Sequence, residues 1–124
     1  MNELASKIQD SELEVMRVLW EAGDALPLTE IRRVLHERRD WEDSTVKTLL
    51  RRLQDKGAVN LVSRGMYAAN ITQSEYSEWA SNRMIEKFYH GSAKNLVASL
   101  LSCGRLTEED IAELREYLEA ISDE

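Results

Sequence analysis

The stretch Asp43-Ser44-Thr45-Val46-Lys47-Thr48-Leu49-Leu50-Arg51-Arg52-Leu53-Gln54-Asp55-Lys56-Gly57, continuing as Ala58-Val59-Asn60-Leu61-Val62-Ser63-Arg64-Gly65-Met66-Tyr67-Ala68-Ala69, decides how this chain folds. Val46, Leu49, Leu50 and Leu53 fall at i, i+3, i+4 and i+7, so a helix over residues 44–56 has one apolar face to bury. Thr45, Lys47, Thr48, Arg51, Arg52 and Lys56 occupy its other side. Asp43 or Ser44 suits the N-cap, because a short side-chain oxygen accepts a first-turn N–H that has no helical partner. Gly57 suits the C-terminal cap, where the backbone turns left-handed. The β-prone runs 58–63 and 66–69, set around Arg64-Gly65, read as a hairpin.

Towards the N-terminus, residues 10–20 predict a helix with Asp10 or Ser11 as cap and Leu13, Met16, Val18, Leu19 and Trp20 as its apolar stripe. Gly23 and Asp24 end it. Pro27 sits at the start of a second helix that runs to about Arg39, with Leu28, Ile31, Val34 and Leu35 inward. Residues 40–43 form a turn. Trp20 and Trp41, at apolar helix and turn positions, read as core rather than as ligand-stacking residues. Three helices followed by a hairpin is the order of a winged helix-turn-helix.

Towards the C-terminus the pattern is helical again. Residues 74–89 carry Tyr76, Trp79, Ala80, Met84, Ile85 and Phe88, and Gly91 stops them. Residues 92–103 carry Leu96, Val97, Leu100 and Leu101, and Gly104 stops those. Residues 107–121 open on a capping box, Thr107-Glu108-Glu109-Asp110, and carry Ile111, Leu114, Tyr117, Leu118 and Ile121. Three short amphipathic helices bury little alone, and pairing with a second copy hides their apolar faces most simply. The expected class is mainly α: a winged helix-turn-helix of three helices plus a short β-hairpin over residues 1–72, and a three-helix dimerisation region over residues 73–124.

The net charge of −7 suits no simple nucleic-acid binder until it is divided along the chain. Residues 1–72 hold 11 Lys and Arg against 12 Asp and Glu, whereas residues 73–124 hold 5 against 11. Between Val46 and Arg64, Lys47, Arg51, Arg52, Lys56 and Arg64 face Asp55 alone. Where cations sit governs phosphate affinity more than their total does. Thr45, Thr48 and Arg52 have the spacing of residues that read base edges in a major groove, with Ser44 beside them at the helix start. Arg51 and Lys56 suit phosphates, and Arg64 at the hairpin tip suits a phosphate or the minor groove. A solvated basic helix face is the plain alternative.

No apolar window reaches the roughly 20 residues of a membrane span. Met1-Asn2-Glu3-Leu4 has neither the basic start nor the apolar core of a secretory signal, so a cytoplasmic protein with no membrane partner is expected. One cysteine, Cys103, excludes an internal disulfide framework and reads as a buried, unreactive thiol beside Leu100 and Leu101. His36 and His90 stand apart from any acid or cysteine set, and no nucleophile motif is present, so neither an enzyme nor a cofactor or metal site is expected. Two rivals stay open: a protein-interaction adaptor on the same fold, and a redox or metal sensor acting through Cys103 and a histidine.

The run Ser11-Glu12-Leu13-Glu14-Val15-Met16 to Leu19-Trp20 is similar to the first helix of the penicillinase-repressor family (BlaI/MecI/CopY). Trp41, Thr45, Val46, Thr48, Leu49, Leu50, Arg52, Leu53, Lys56 and Gly57 resemble its recognition helix, and Gly91, Leu96-Val97, Leu106-Thr107 and Glu113-Leu114 its dimerisation tail. The resemblance implies a bacterial repressor of resistance or metal-homeostasis genes. It implies a homodimer on double-stranded operator DNA of inverted-repeat form, commonly TACA/TGTA. Carried over by position, Ser44, Thr45, Thr48 and Arg52 face the groove; Lys47, Arg51, Lys56 and Arg64 are the further DNA contacts expected from the basic pattern itself. Tyr76, Trp79, Met84, Phe88, Leu96, Val97, Leu100, Leu101, Leu114 and Leu118 are the expected dimer interface. Three departures stand out. Metal-responsive members end in paired Cys-x-Cys motifs, and this chain has Cys103 alone. Members inactivated by proteolysis are cut at an Asn-Phe bond, where this chain has Ser99-Leu100, so a sensor protease is left unknown. The hairpin is a few residues shorter than the family pattern.

Overall fold

Five residues, Glu3–Lys7, form a first helix, α1, too short for periodicity to announce. In the computed structural model, which describes residues 2–122, the Asn2 side chain accepts the Ala5 N–H at 3.0 Å, and Ala5 and Ile8 enter the core. Met1, Asp123 and Glu124, the outer ends of the two expected regions, lie outside the described residues. Helix α2 (Asp10–Ala22) starts where the sequence suggested, but its cap is Gln9, not Asp10 or Ser11. The reason is Glu12, whose Oε1 reaches back to accept the Gln9 N–H at 2.9 Å. Gly23, at φ 73°, ends the helix by donating its N–H to the Leu19 and Trp20 carbonyls.

Leu26–Pro27 form a two-residue strand, β1, that leads directly into α3 (Leu28–Arg39), with Pro27 as its N-cap. Helix α4 spans Asp43–Lys56. Its cap is Glu42, with no side-chain hydrogen bond, in place of the expected Asp43 or Ser44. Val46, Leu49, Leu50 and Leu53 are all buried, as their spacing predicted. Strands β2 (Val59–Ser63) and β3 (Met66–Ala69) make the hairpin, and β1 joins it as a third strand that the sequence did not reveal. The order is β1-β3-β2, antiparallel throughout, with Leu26 opposite Tyr67 and Leu61 also opposite Tyr67 on the other side. Between Leu61 and Ser63 the register shifts, so Val62 stands as a bulge on the edge strand. Arg64 and Gly65 turn the hairpin with φ of 36° and 80°, the paired positive values of a tight two-residue turn.

The core of this first unit, which runs to Ser81, gathers Val15, Met16, Ile31, Leu35, Val46, Leu50, Leu53 and Val59 from all three main helices and the hairpin. Trp20 packs on it and donates its Nε1–H to the Ile71 carbonyl at 2.9 Å. Trp41 packs on it too, in line with its reading as core. Helix α5 (Gln73–Tyr89) begins on a reciprocal box in which Thr72 N–H donates to Glu75 and Glu75 N–H donates to Thr72 Oγ1. Its first turns lay Tyr76 and Trp79 in line with Trp20, ring centroids 5.7 Å apart at each step. Burial pushes the Tyr76 phenol pKa up, and nearby Asp10 adds to the shift.

The second unit begins at Asn82 and holds the end of α5, then α6 (Ala93–Ser102) and α7 (Glu108–Ser122). Ser92 caps α6 by accepting the Asn95 N–H. Thr107 and Asp110 cap α7 reciprocally, as the sequence proposed. No residue of these helices is buried in the protomer. Cys103 corrects an expectation: it stands exposed at the C-terminal cap of α6, where Leu100 and Leu101, the neighbours expected to bury it, are themselves exposed.

Candidate nucleic-acid interface

Helix α4 is seated by its four buried apolar residues, which leaves the opposite side to solvent. Ser44, Thr45, Lys47, Thr48, Arg51 and Arg52 are all exposed there. At about 100° per residue, Thr45, Thr48 and Arg52 fall within roughly 60° of one another, while Ser44, Thr48 and Arg51 span the side away from the core. Thr48 donates its hydroxyl hydrogen to the Ser44 carbonyl at 2.9 Å. That bond engages the hydroxyl hydrogen and leaves the exposed side chain its methyl and oxygen lone pairs, groups suited to a thymine methyl or a base donor. The first-turn amides of α4 carry no side-chain cap, although Glu42 and Asp43 beside them temper any attraction for an anion.

Charge pairing divides the basic residues into two sets. On α2 and α3 four arginines, Arg17, Arg33, Arg38 and Arg39, are paired with acids in place, and Arg32 is the exception. Arg33 meets Glu30 at 2.5 Å and Glu37 at 3.0 Å, Arg38 meets Glu21 at 2.6 Å, and Arg17 and Arg39 both meet Glu14 at 2.7 Å. Hydrogen bonds from Arg33 and Arg38 hold the Glu30 and Glu21 carboxyls below the usual carboxylate range, and those arginines are raised in turn. Lys47, Arg51, Arg52 and Arg64, by contrast, have no acidic partner among the described residues. Within the helix-turn-helix, α4 and the hairpin tip thus hold four cations that no acid of the protein engages directly, which leaves them free to meet an anion.

Lys56 departs from its expected place. Its ammonium is not presented outward to phosphate but meets Glu12, at 2.5 Å to Oε1 and 2.7 Å to Oε2. Glu12 is fully buried and is the sole buried charged side chain among the described residues, so it requires that partner. Spacing along the sequence could not show this pair, whose members lie 44 residues apart. Arg32 of α3 is another residue to which the sequence attached no role: half-buried, its Nε has no hydrogen-bond partner.

Of the residues expected at a dimer interface, Tyr76 and Trp79 are engaged in the protomer, packed against the core of the first unit. Met84, Phe88, Val97, Leu100, Leu101, Leu114 and Leu118 are exposed, Phe88 and Leu118 by 64 % and 65 %, and Leu96 is half-buried. Tyr117 and Ile121 join the exposed set, extending the apolar side of α7. No group of three or more His, Cys, Asp or Glu is placed to hold a metal ion among the described residues, and no helix is long and apolar enough to cross a membrane.

A helix carrying unpaired cations, seated on two others and followed by a hairpin, defines a winged helix-turn-helix protein. Residues 8–120 match the family model described as penicillinase repressor. The chain belongs to the penicillinase repressor family, a family of transcriptional repressors and not of enzymes. It is 35% identical to the penicillinase repressor of Bacillus licheniformis over 116 residues, covering 91% of this chain and 90% of that one. It is 28% identical to the methicillin resistance regulatory protein MecI of Mammaliicoccus sciuri, covering 95% of this chain and 98% of that one. Among solved structures, the DNA binding domain of the repressor BlaI matches with a TM-score of 0.53 at 35% identity, covering 61% of this chain and 94% of that domain.

Proposed function

We propose that this chain represses transcription in the cytoplasm by binding, as a homodimer, an inverted-repeat operator in double-stranded DNA. The observation that carries the reading is the outer side of α4, where exposed Ser44, Thr45, Thr48 and Arg52 stand beside Lys47 and Arg51, cations without an acidic partner among the described residues, while Arg33, Arg38 and Arg39 of α3 are paired. Ser44, Thr45, Thr48 and Arg52 are the groove-facing set, and Lys47, Arg51 and Arg64 meet phosphates. Lys56 leaves the set because its ammonium is occupied. The dimer forms through the apolar faces of the tail, with Met84, Phe88, Leu96, Val97, Leu100, Leu101, Leu114 and Leu118 at its centre. So much exposed apolar surface on three consecutive helices supports pairing, because a monomer seldom leaves such a patch to water. Residues 1–72 then read DNA and residues 73–124 dimerise. The names of the relatives favour antibiotic-resistance genes as targets.

Selection of genomic fragments with the purified chain at about 0.15 M salt tests the reading, since phosphate-driven background is already weakened at that ionic strength. Recovery of one or a few inverted-repeat sites is the expected result. Sequence-blind recovery, or none, overturns it in favour of a protein-interaction role for the same fold.

A further inference from the structure

We infer that Glu12 and Lys56 are positioning residues for DNA recognition: together they fix the rotation and height of α4 in its seat, and Lys56 makes no phosphate contact. The inference rests on the operator-binding reading above.

Lys56 is the last residue of α4. Immediately beyond it Gly57 turns left-handed at φ 85°, and Ala58 and Val59 dive into the core to start the hairpin. A tether at Lys56 therefore holds both the reading helix and the root of the hairpin. Its anchor is well fixed. Glu12 lies in the first turn of α2, is fully buried, and has one oxygen held by the Gln9 N–H at 2.9 Å while both oxygens take the Lys56 ammonium. Only a quarter of the Lys56 side chain is exposed.

The apolar face of α4 cannot do this alone. The packing of Val46, Leu49, Leu50 and Leu53 is non-directional, and such packing resists separation more than small rotations. Side chains that read base edges must be placed within roughly 0.5 Å and 10–20°. A charged, two-point hydrogen bond is directional, and a buried carboxylate that loses its partner is strongly disfavoured, so the pair selects one setting of α4 over its neighbours. Thr48 and Arg52 lie two turns and one turn before Lys56 and inherit that setting.

The test uses the full chain as wild type, Glu12→Gln, Lys56→Met, and the double variant Glu12→Gln with Lys56→Gln. Each is titrated, at a temperature where melting curves show it folded, against the duplex recovered by genomic selection and a scrambled duplex of equal length, over a range of salt. The single variants are expected to lose about tenfold or more on the selected duplex, the scale of one base contact per half-site. They are expected to keep the wild-type affinity for the scrambled duplex and the wild-type salt slope. The double variant keeps a side-chain amide at both positions, and Gln at position 12 still serves the capping box. It is expected to return to within about threefold of wild type, since a neutral pair can replace a buried ion pair at little cost.

If Lys56 instead binds phosphate, Lys56→Met and the double variant flatten the salt slope by about 1.8 per dimer on both duplexes. That result overturns the inference. So does a set of single variants whose melting temperatures fall while their preference for the selected duplex is unchanged. Should Lys56→Met fail to fold, Lys56→Gln alone takes its place, and should Glu12→Gln fail, Glu12→Ala does, with the same loss of about tenfold expected and an unchanged preference for the selected duplex overturning the inference. A wild-type chain that binds both duplexes alike sinks the operator-binding reading and this inference with it, a failure visible without any variant.

Discussion

Arg52 is exposed, unpaired among the described residues and on the same side of α4 as Thr45 and Thr48, which gives it the freedom a base contact needs. Arg52→Ala should cost on the order of 1–3 kcal/mol on the operator and relax selectivity at one position per half-site. Binding isotherms on single-base operator variants check this, and an unchanged preference would assign Arg52 to phosphate. Lys47 and Arg64 have the same freedom, but Lys47 lies on the opposite flank of the helix and Arg64 at the hairpin tip. Replacing either by Ala should weaken operator and scrambled DNA alike and reduce the salt slope by roughly 1 for each phosphate no longer neutralised. The exposed positions of Arg52 and Lys47 were legible in the sequence because helical spacing alone separates the outer side of α4 from its core side, and that of Arg64 because Arg64-Gly65 marks the turn. Lys56 was not. Its partner lies on another helix, and the basic character that suggested phosphate suits a buried carboxylate equally well.

Among elements, α4 and the hairpin could be read directly, since four apolar residues at helical spacing, a glycine cap and a two-residue turn are all local signals. Leu50→Ala should destabilise the first unit by about 2–5 kcal/mol, because Leu50 is fully buried and the cavity left behind cannot collapse completely. Chemical denaturation measures that loss. Gly57→Ala meets no atom within 4 Å of the added Cβ, so its cost is left-handed strain alone, roughly 1–2 kcal/mol. The elements that went unread share a physical cause. Five residues in α1 and two in β1 carry no periodicity, and each exists because a distant surface receives it, the core for Ala5 and Tyr67 of β3 for Leu26. The ion pairs of α3 give this region a pH dependence. Glu21 and Glu30 have folded-state pKa values below their ordinary 4.5, so their contribution is present above that value and is lost as pH falls through the lowered ones. Melting temperature should therefore decline on acidification below about pH 4.5, by less in Glu21→Gln than in wild type. The difference is small and shrinks with added salt, since the pairs lie in solvent.

At the scale of the molecule, the proposed dimer supplies what the tail helices lack among the described residues, a cover for their apolar sides. Their caps are complete and their stripes are apolar, yet Phe88, Leu118 and Ile121 are exposed by 64 %, 65 % and 69 %. Amphipathic spacing made these stripes legible, whereas a single sequence does not say which side chains the protomer itself will claim, as it claims Tyr76 and Trp79. Phe88→Asp or Leu118→Asp should convert the chain to a folded monomer in sedimentation and lower operator affinity by about 100-fold or more, because two half-sites are no longer held by one linked molecule. The central claim is that such a dimer sets two copies of α4 into major grooves on one face of DNA. Footprinting with methylation interference on the selected fragment measures this most directly, since methylation at guanine N7 blocks the major groove. Two dyad-related half-sites, centred about 10 base pairs or a multiple apart, with interference at guanines inside them, is the predicted result. A single asymmetric patch, or protection without interference at guanine N7, would contradict it.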